Sequence, residues 1–184
     1  MQKRFLSIWF CSLSTDWCCR RQPGLAKLPF VLSTPDHGRM IVTAANLLAQ
    51  QEGISLGMAL ADARAIYPSL QVQDDDAGLS ARLLTAIAEW CIRFTPTVAV
   101  DMPDGLILDI TGCAHLWGGE EKYVSDLNSR FKGFQYHVRT AIADTIGAAW
   151  AKSRFGNDIF SLPPAALRIE RETKIGRASC RERV

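Results

Sequence analysis

The sequence predicts an α+β fold. Four antiparallel strands carry two helices on one face, and a small helical subdomain is inserted between them. Three observations lead there. Residues 98–110 alternate apolar and polar around Asp104-Gly105, a hairpin signal. Residues 79–94 place Leu83, Leu84, Ile87, Trp90, Cys91 and Phe94 at helical spacing, the strongest amphipathic pattern in the chain. Setting aside residues 23–77 leaves strands and helices in the order β-α-β-β-α-β, the ferredoxin-like split arrangement.

Each element follows from local chemistry. Residues 5–10, FLSIWF, are apolar but for Ser7, with three aromatics, and read as the first strand. A short helix over 15–21 takes Ser14 or Thr15 as its cap and ends at Gln22-Pro23-Gly24. LPFVL, 28–32, is a second strand, closed by the turn Thr34-Pro35-Asp36-His37-Gly38. Residues 40–42 lead into a helix over 43–52 that stops at Gly53, and a further helix over 57–66 is terminated by Pro68. Residues 70–72 are extended and the acid run 74–76 precedes the long helix. After the hairpin come a helix over 120–131, a strand over 136–143, and a last helix from Asp144 or Thr145 to Phe155. The expected layout is one sheet domain from 1–22 and 78–156, an insertion from 23–77, the start of another region at 157–173, and a tail at 174–184.

Composition narrows the function classes. The chain has 184 residues, 48% hydrophobic and 22% charged, and suffices for a core without disulfide or metal staples. Its apolar runs are too short to span a bilayer. The N-terminus lacks a cleavage site of the small-residue type, so it reads as a strand and not as a signal peptide. The tail KIGRASCRERV has no apolar periodicity and looks like a translated sequencing-adapter read-through, so the natural chain is expected to continue past about residue 173. That tail holds four basic residues against one acid. Without it the net charge falls from +2 to −1, so the basic balance is no argument for nucleic acid. Six cysteines form no CxxC pair and no zinc-like grouping, which points to buried thiols and a reducing cytoplasm.

Two acids, Asp104 and Asp109, flank the apolar run of the hairpin and raise the question of a metal site. Asp109 lies on the face opposite Leu106, Leu108 and Ile110, where capping a backbone or pairing with an arginine is the simpler role. Asp101 reads as a turn residue. The triplet Asp74-Asp75-Asp76 reads as solvated acids favouring a helix N-terminus. His37 reads as a solvated loop residue, and His115 and His137 are too isolated in sequence to pair with any cysteine. Trp90, Trp117 and Trp150 read as packing.

The strings FLSIWF, LPFVL, GRMIVTAAN, GISLGMALADARAIYP, FTPTVAVDMPDGLILDITGC, LWGGE and VRTAIADTIGAAWAKSRFG occur in an order and spacing that resembles the N-terminal half of Y-family DNA polymerases, over nearly all of residues 3–156. Within that family the chain looks most like the polymerase-like accessory proteins of bacterial damage-induced mutagenesis. The resemblance implies a palm at 1–22 and 78–156 and fingers at 23–77. It also implies a palm that, when active, holds two magnesium ions with three carboxylates for phosphoryl transfer. Those three positions fall here on Trp9, Asp104 and Gly105, so only Asp104 survives as an acid. The aromatic that screens the sugar falls on Ser14. The tyrosine and arginine that cradle the triphosphate fall on Leu47 and Gln50. Arg39 and Asn46 align with fingers residues over the templating base and are candidate DNA contacts, with a surface ion pair as the plain alternative.

The resemblance therefore implies a palm kept as a shape, with no intact catalytic residue, no bound metal and no cofactor. The expected role is a non-catalytic hub in translesion synthesis. Its expected partners are damaged primer-template DNA, the sliding clamp, a RecA-like accessory protein and an error-prone replicative-type polymerase, in the cytoplasm and away from membranes. Two other readings stay open. One is a divergent, active translesion polymerase using magnesium. The other is an unrelated ferredoxin-like interaction domain.

Overall fold

A computed structural model describes residues 3–156; the stretches expected at 157–173 and 174–184 lie outside the described residues. Four strands form the main sheet: β1 (Phe5–Phe10), β5 (Thr97–Asp101), β6 (Gly105–Asp109) and β7 (Val138–Ala143), in the order β5-β6-β1-β7. All neighbours are antiparallel. This is the split β-α-β order expected from the sequence.

Alternation along β1 explains how the sheet is covered. Leu6, Ile8 and Phe10 are fully or almost fully buried and meet Leu106, Leu108 and Ile142 in the core. Helices α4 (Leu79–Cys91) and α5 (Glu120–Gly133) close that face with Leu84, Ile87, Tyr123, Leu127 and Phe131. Each such side chain contributes about 1.5–3 kcal/mol by leaving water. Burial also pushes the Cys91 thiol up to about 12, so it remains a packed, neutral group.

The second face of the sheet is not open, as the expectation of helices on one face alone would leave it. Helix α6 (Ile146–Phe155) packs across β1 and β7, with Ala148 and Ala149 against Ala143 and Phe5. Ser7 and Ser153 share a buried hydrogen bond of 2.9 Å there. Small residues let the helix approach closely. Thr145 caps it by accepting from the Ala148 amide.

The first helix, α1 (Leu13–Arg21), starts earlier than the sequence suggests. Ser12 is the cap position, and Ser14 is buried inside the first turn with its hydroxyl 3.1 Å from that of Ser80 on α4.

The inserted part differs more. It is not a helical subdomain but a three-stranded sheet, β3-β2-β4, made of β2 (Phe30–Asp36), β3 (Arg39–Ala45) and β4 (Gln71–Asp74). The helix expected over 43–52 is strand up to Ala45 and helix only as α2 (Leu47–Gln51). Ile41, Val42 and Thr43 are β-branched, and β2 supplies the antiparallel partner that the period alone did not reveal. The helix expected over 57–66 likewise begins only at α3 (Leu60–Ile66), because Gly57 and Met58 bond back to Val42. Val31, Val42, Ala49, Ile54 and Ala63 form a separate small core.

Candidate functional site

The site grows out of the pairing of β1 with β6. Trp9 lies opposite Gly105, and the Phe10 amide donates to the Asp104 carbonyl at 2.8 Å. Odd-numbered side chains of β1 point towards α6, so the Trp9 indole lies on that face. Its Nε1 donates to Oδ2 of Asp104 at 2.8 Å. The three aligned positions are thus neighbours in space.

Two arginines that sequence reasoning did not single out complete the cluster. Arg154, near the end of α6, donates from Nη2 to Oδ1 of Asp104 at 2.7 Å. The same nitrogen lies 3.2 Å from Oδ2 of Asp101. Its side chain is only 11% exposed, against 30% for Asp101 and 34% for Asp104. The guanidinium also rests against the Trp150 ring, 4.6 Å from its centre, and more distantly against Trp9 at 5.9 Å. Arg139 on β7 lies over the Trp9 ring at 5.8 Å and donates to the Arg154 and Gly156 carbonyls. Asp101, expected as a turn residue, instead ends β5 and faces this cation.

Gly105 fits tightly into this arrangement. A Cβ there would sit 2.9 Å from Oδ2 of Asp101, 3.2 Å from its backbone oxygen and 3.2 Å from Nη2 of Arg154. Any side chain at 105 displaces the Asp101–Arg154 pair.

The residues do not fit a two-metal centre. Both Asp104 oxygens are engaged, one by an indole N–H and one by a guanidinium. Hard divalent cations need several oxygen ligands converging on one point. Among the described residues no group of three or more His, Cys, Asp or Glu side chains is placed to hold a metal ion. The cluster instead offers two carboxylates that share one built-in cation.

Of the remaining aligned residues, Asn46 and Leu47 line a cleft of about 560 Å³, bounded also by Asp16, Lys132 and His137 among others. Leu47 is 51% exposed at the first turn of α2 and offers no donor. Gln50 is turned back, its Nε2 donating to the Ala45 carbonyl at 2.8 Å.

Asn46 is 6% exposed, its Oδ1 accepts from the Ala49 and Phe30 amides and its Nδ2 donates to the Leu28 carbonyl, so its side chain holds the backbone where β2, β3 and α2 meet. Arg39 is exposed at the start of β3.

His137, read as isolated, donates its backbone amide to Asp16 at 2.8 Å and sets its ring Nδ1 2.9 Å from the same carboxylate. Burial pushes the Asp16 pKa up, and the His137 contacts pull against that shift. Asp109 caps the Thr111 amide, as its register suggests. Arg4 forms a separate buried pair with Glu120 and Asp144 that ties β1 to α5 and to the start of α6.

The fold and this remodelled site define a polymerase-like palm. The chain belongs to the impB/mucB/samB family, whose pattern it matches over residues 8–154. It is 49% identical over 112 residues to Protein ImuB of Caulobacter vibrioides strain NA1000 / CB15N, covering 61% of this chain, and equally to that of strain ATCC 19089 / CIP 103742 / CB 15. The chain spans 24% of the length of those relatives. Among solved structures it resembles DinB from Sulfolobus solfataricus, with a TM-score of 0.73 at 16% identity over 88% of this chain and 48% of that one. It also resembles Dbh DNA polymerase in an insertion ternary complex, with a TM-score of 0.74 at 15% identity over 87% and 48%. At such identities the likeness is one of fold.

Proposed function

We propose that this chain is the polymerase-like part of a non-catalytic accessory protein in bacterial DNA damage tolerance. It presents damaged primer-template DNA and works as a hub in the cytoplasm. By the resemblance, its partners are the sliding clamp, a RecA-like accessory protein and an error-prone replicative-type polymerase that carries out synthesis. One observation carries the reading: Arg154 and Trp9 hold both oxygens of Asp104, the one acid retained at the aligned metal positions. A guanidinium cannot activate an attacking oxygen as a metal does, because it has no open coordination site. Leu47 and Gln50 add no cation for a triphosphate.

The test is a chimera in which residues 3–156 replace the matching span of an active Y-family polymerase that supplies the remaining grip on DNA. The chimera is expected to bind primer-template and to extend nothing with magnesium or manganese. Primer-template binding in the same preparation shows that it is folded. Template-dependent incorporation that disappears in Asp104→Ala would overturn the reading in favour of a divergent active polymerase.

A further inference from the structure

On the sheet face opposite Trp9, a groove of about 280 Å³ opens among α1, α4 and the end of α5, walled by Trp17, Leu83, Trp90, Phe134 and Tyr136. Phe134 is 39% exposed. The groove's volume is just under the about 300–1,000 Å³ of small-molecule sites, which suits one large anchoring side chain better than a cofactor.

The rim is cationic. Arg20 lies over the Tyr136 ring at 4.9 Å, Arg21 over Trp17 at 4.8 Å and Arg93 over Trp90 at 4.8 Å. Among the described residues none of these three arginines is in an ion pair, although Arg4, Arg82 and Arg154 are. Arg93 donates its Nε to the Trp90 carbonyl at 2.9 Å and Arg20 also meets the Tyr136 hydroxyl, so each guanidinium is anchored on one side with its other N–H groups left for a carboxylate. We infer that this groove docks an acidic segment of a partner protein through one aromatic or aliphatic side chain, with carboxylates on either side meeting Arg20 and Arg93.

A nucleic acid fits less well. Bases stack on open ring faces. Trp90 has Arg93 over it and packs against Phe94, Phe131 and Phe134 at ring-centre distances of 5.2–5.5 Å. What remains is an apolar concavity with charge at its lip, which suits an apolar anchor flanked by acids. The inference is independent of the polymerase-like site, which lies across the sheet.

The experiment selects a phage-displayed random-peptide library against the whole chain and titrates the enriched peptides into it. Enriched sequences should carry Asp or Glu around one aromatic or aliphatic residue. They should shift the indole N–H signals of Trp17 and Trp90 and leave that of Trp9 unmoved. Ala86→Glu, at an exposed groove position, should abolish their binding. The double change Arg20→Glu with Arg93→Glu should weaken it by about tenfold or more, since attraction at the rim becomes repulsion. Enrichment of neutral or basic peptides, binding that ignores Ala86→Glu, indole shifts confined to tryptophans outside the groove, or displacement of the peptides by an oligo-dT strand would each overturn the proposal. An empty selection would do the same.

Discussion

Arg154 and Asp104, fifty residues apart in sequence, form an ion pair of 2.7 Å that joins the last described helix to the turn of the central hairpin. Asp101 meets the same guanidinium nitrogen from the other side of that turn. The pair therefore fixes α6 on the sheet and places a permanent positive charge between two carboxylates. Trp9 closes the cluster from β1.

Removing the cation should be costly. Arg154→Met is expected to destabilise the chain by about 1–3 kcal/mol, below the full cost of breaking a buried pair because both acids are about a third exposed and can rehydrate. Adding Asp104→Asn should recover part of that loss, giving a non-additive double-mutant cycle. Urea unfolding of the four proteins measures it. Additive effects would show that the two side chains do not interact.

Gly105 is held to glycine by space and not by backbone conformation. Gly105→Ala should cost roughly 1–3 kcal/mol, because its Cβ meets a carboxylate oxygen at 2.9 Å and a backbone oxygen at 3.2 Å. Combining it with Asp101→Ser, which removes the carboxylate oxygen, should relieve part of the cost. A thermal melt in which Gly105→Ala matches the parent would contradict the close packing.

Asp16 gives a pH prediction whose sign follows from its raised pKa. Burial makes the folded state hold this proton more tightly than the unfolded chain does. The group's contribution to stability is therefore present below the ordinary carboxylate pKa and is lost as pH rises through its raised folded value. Asp16→Asn lacks that loss and can still accept the His137 amide. Its stability relative to the parent should rise across that acid window and then level off. A relative stability that falls with pH would contradict the burial argument. Denaturant midpoints over a series of buffers decide it.

Much of the main sheet was legible because its signals are local. The alternation of 98–110, the amphipathic face of 79–94 and the FLSIWF strand each announce themselves within one window. The register of Trp9 against Gly105 follows once β1 and β6 are neighbours. The inserted sheet was not legible, since Ile41-Val42-Thr43 runs straight into AANLLAQQ and only β2 decides where strand stops and helix starts. Arg154 was hidden for another reason. It sits between Ser153 and Phe155 in an ordinary helix, and nothing near it in sequence says that its partners lie at 101 and 104. His137 and Asp16 were missed in the same way, being 121 residues apart.

Arg154 places a side-chain cation between Asp101 and Asp104, where a divalent metal would otherwise have to sit. Manganese titration followed by electron paramagnetic resonance reads this out. The parent should take up no manganese in a saturable way. Arg154→Met should gain a weak site, because Oδ2 of Asp101 and Oδ1 of Asp104 lie 3.2 and 2.7 Å from one point, and Asp104→Asn in that background should remove it. Saturable manganese uptake by the parent that disappears in Asp104→Ala would show instead that Asp104 binds metal with Arg154 in place.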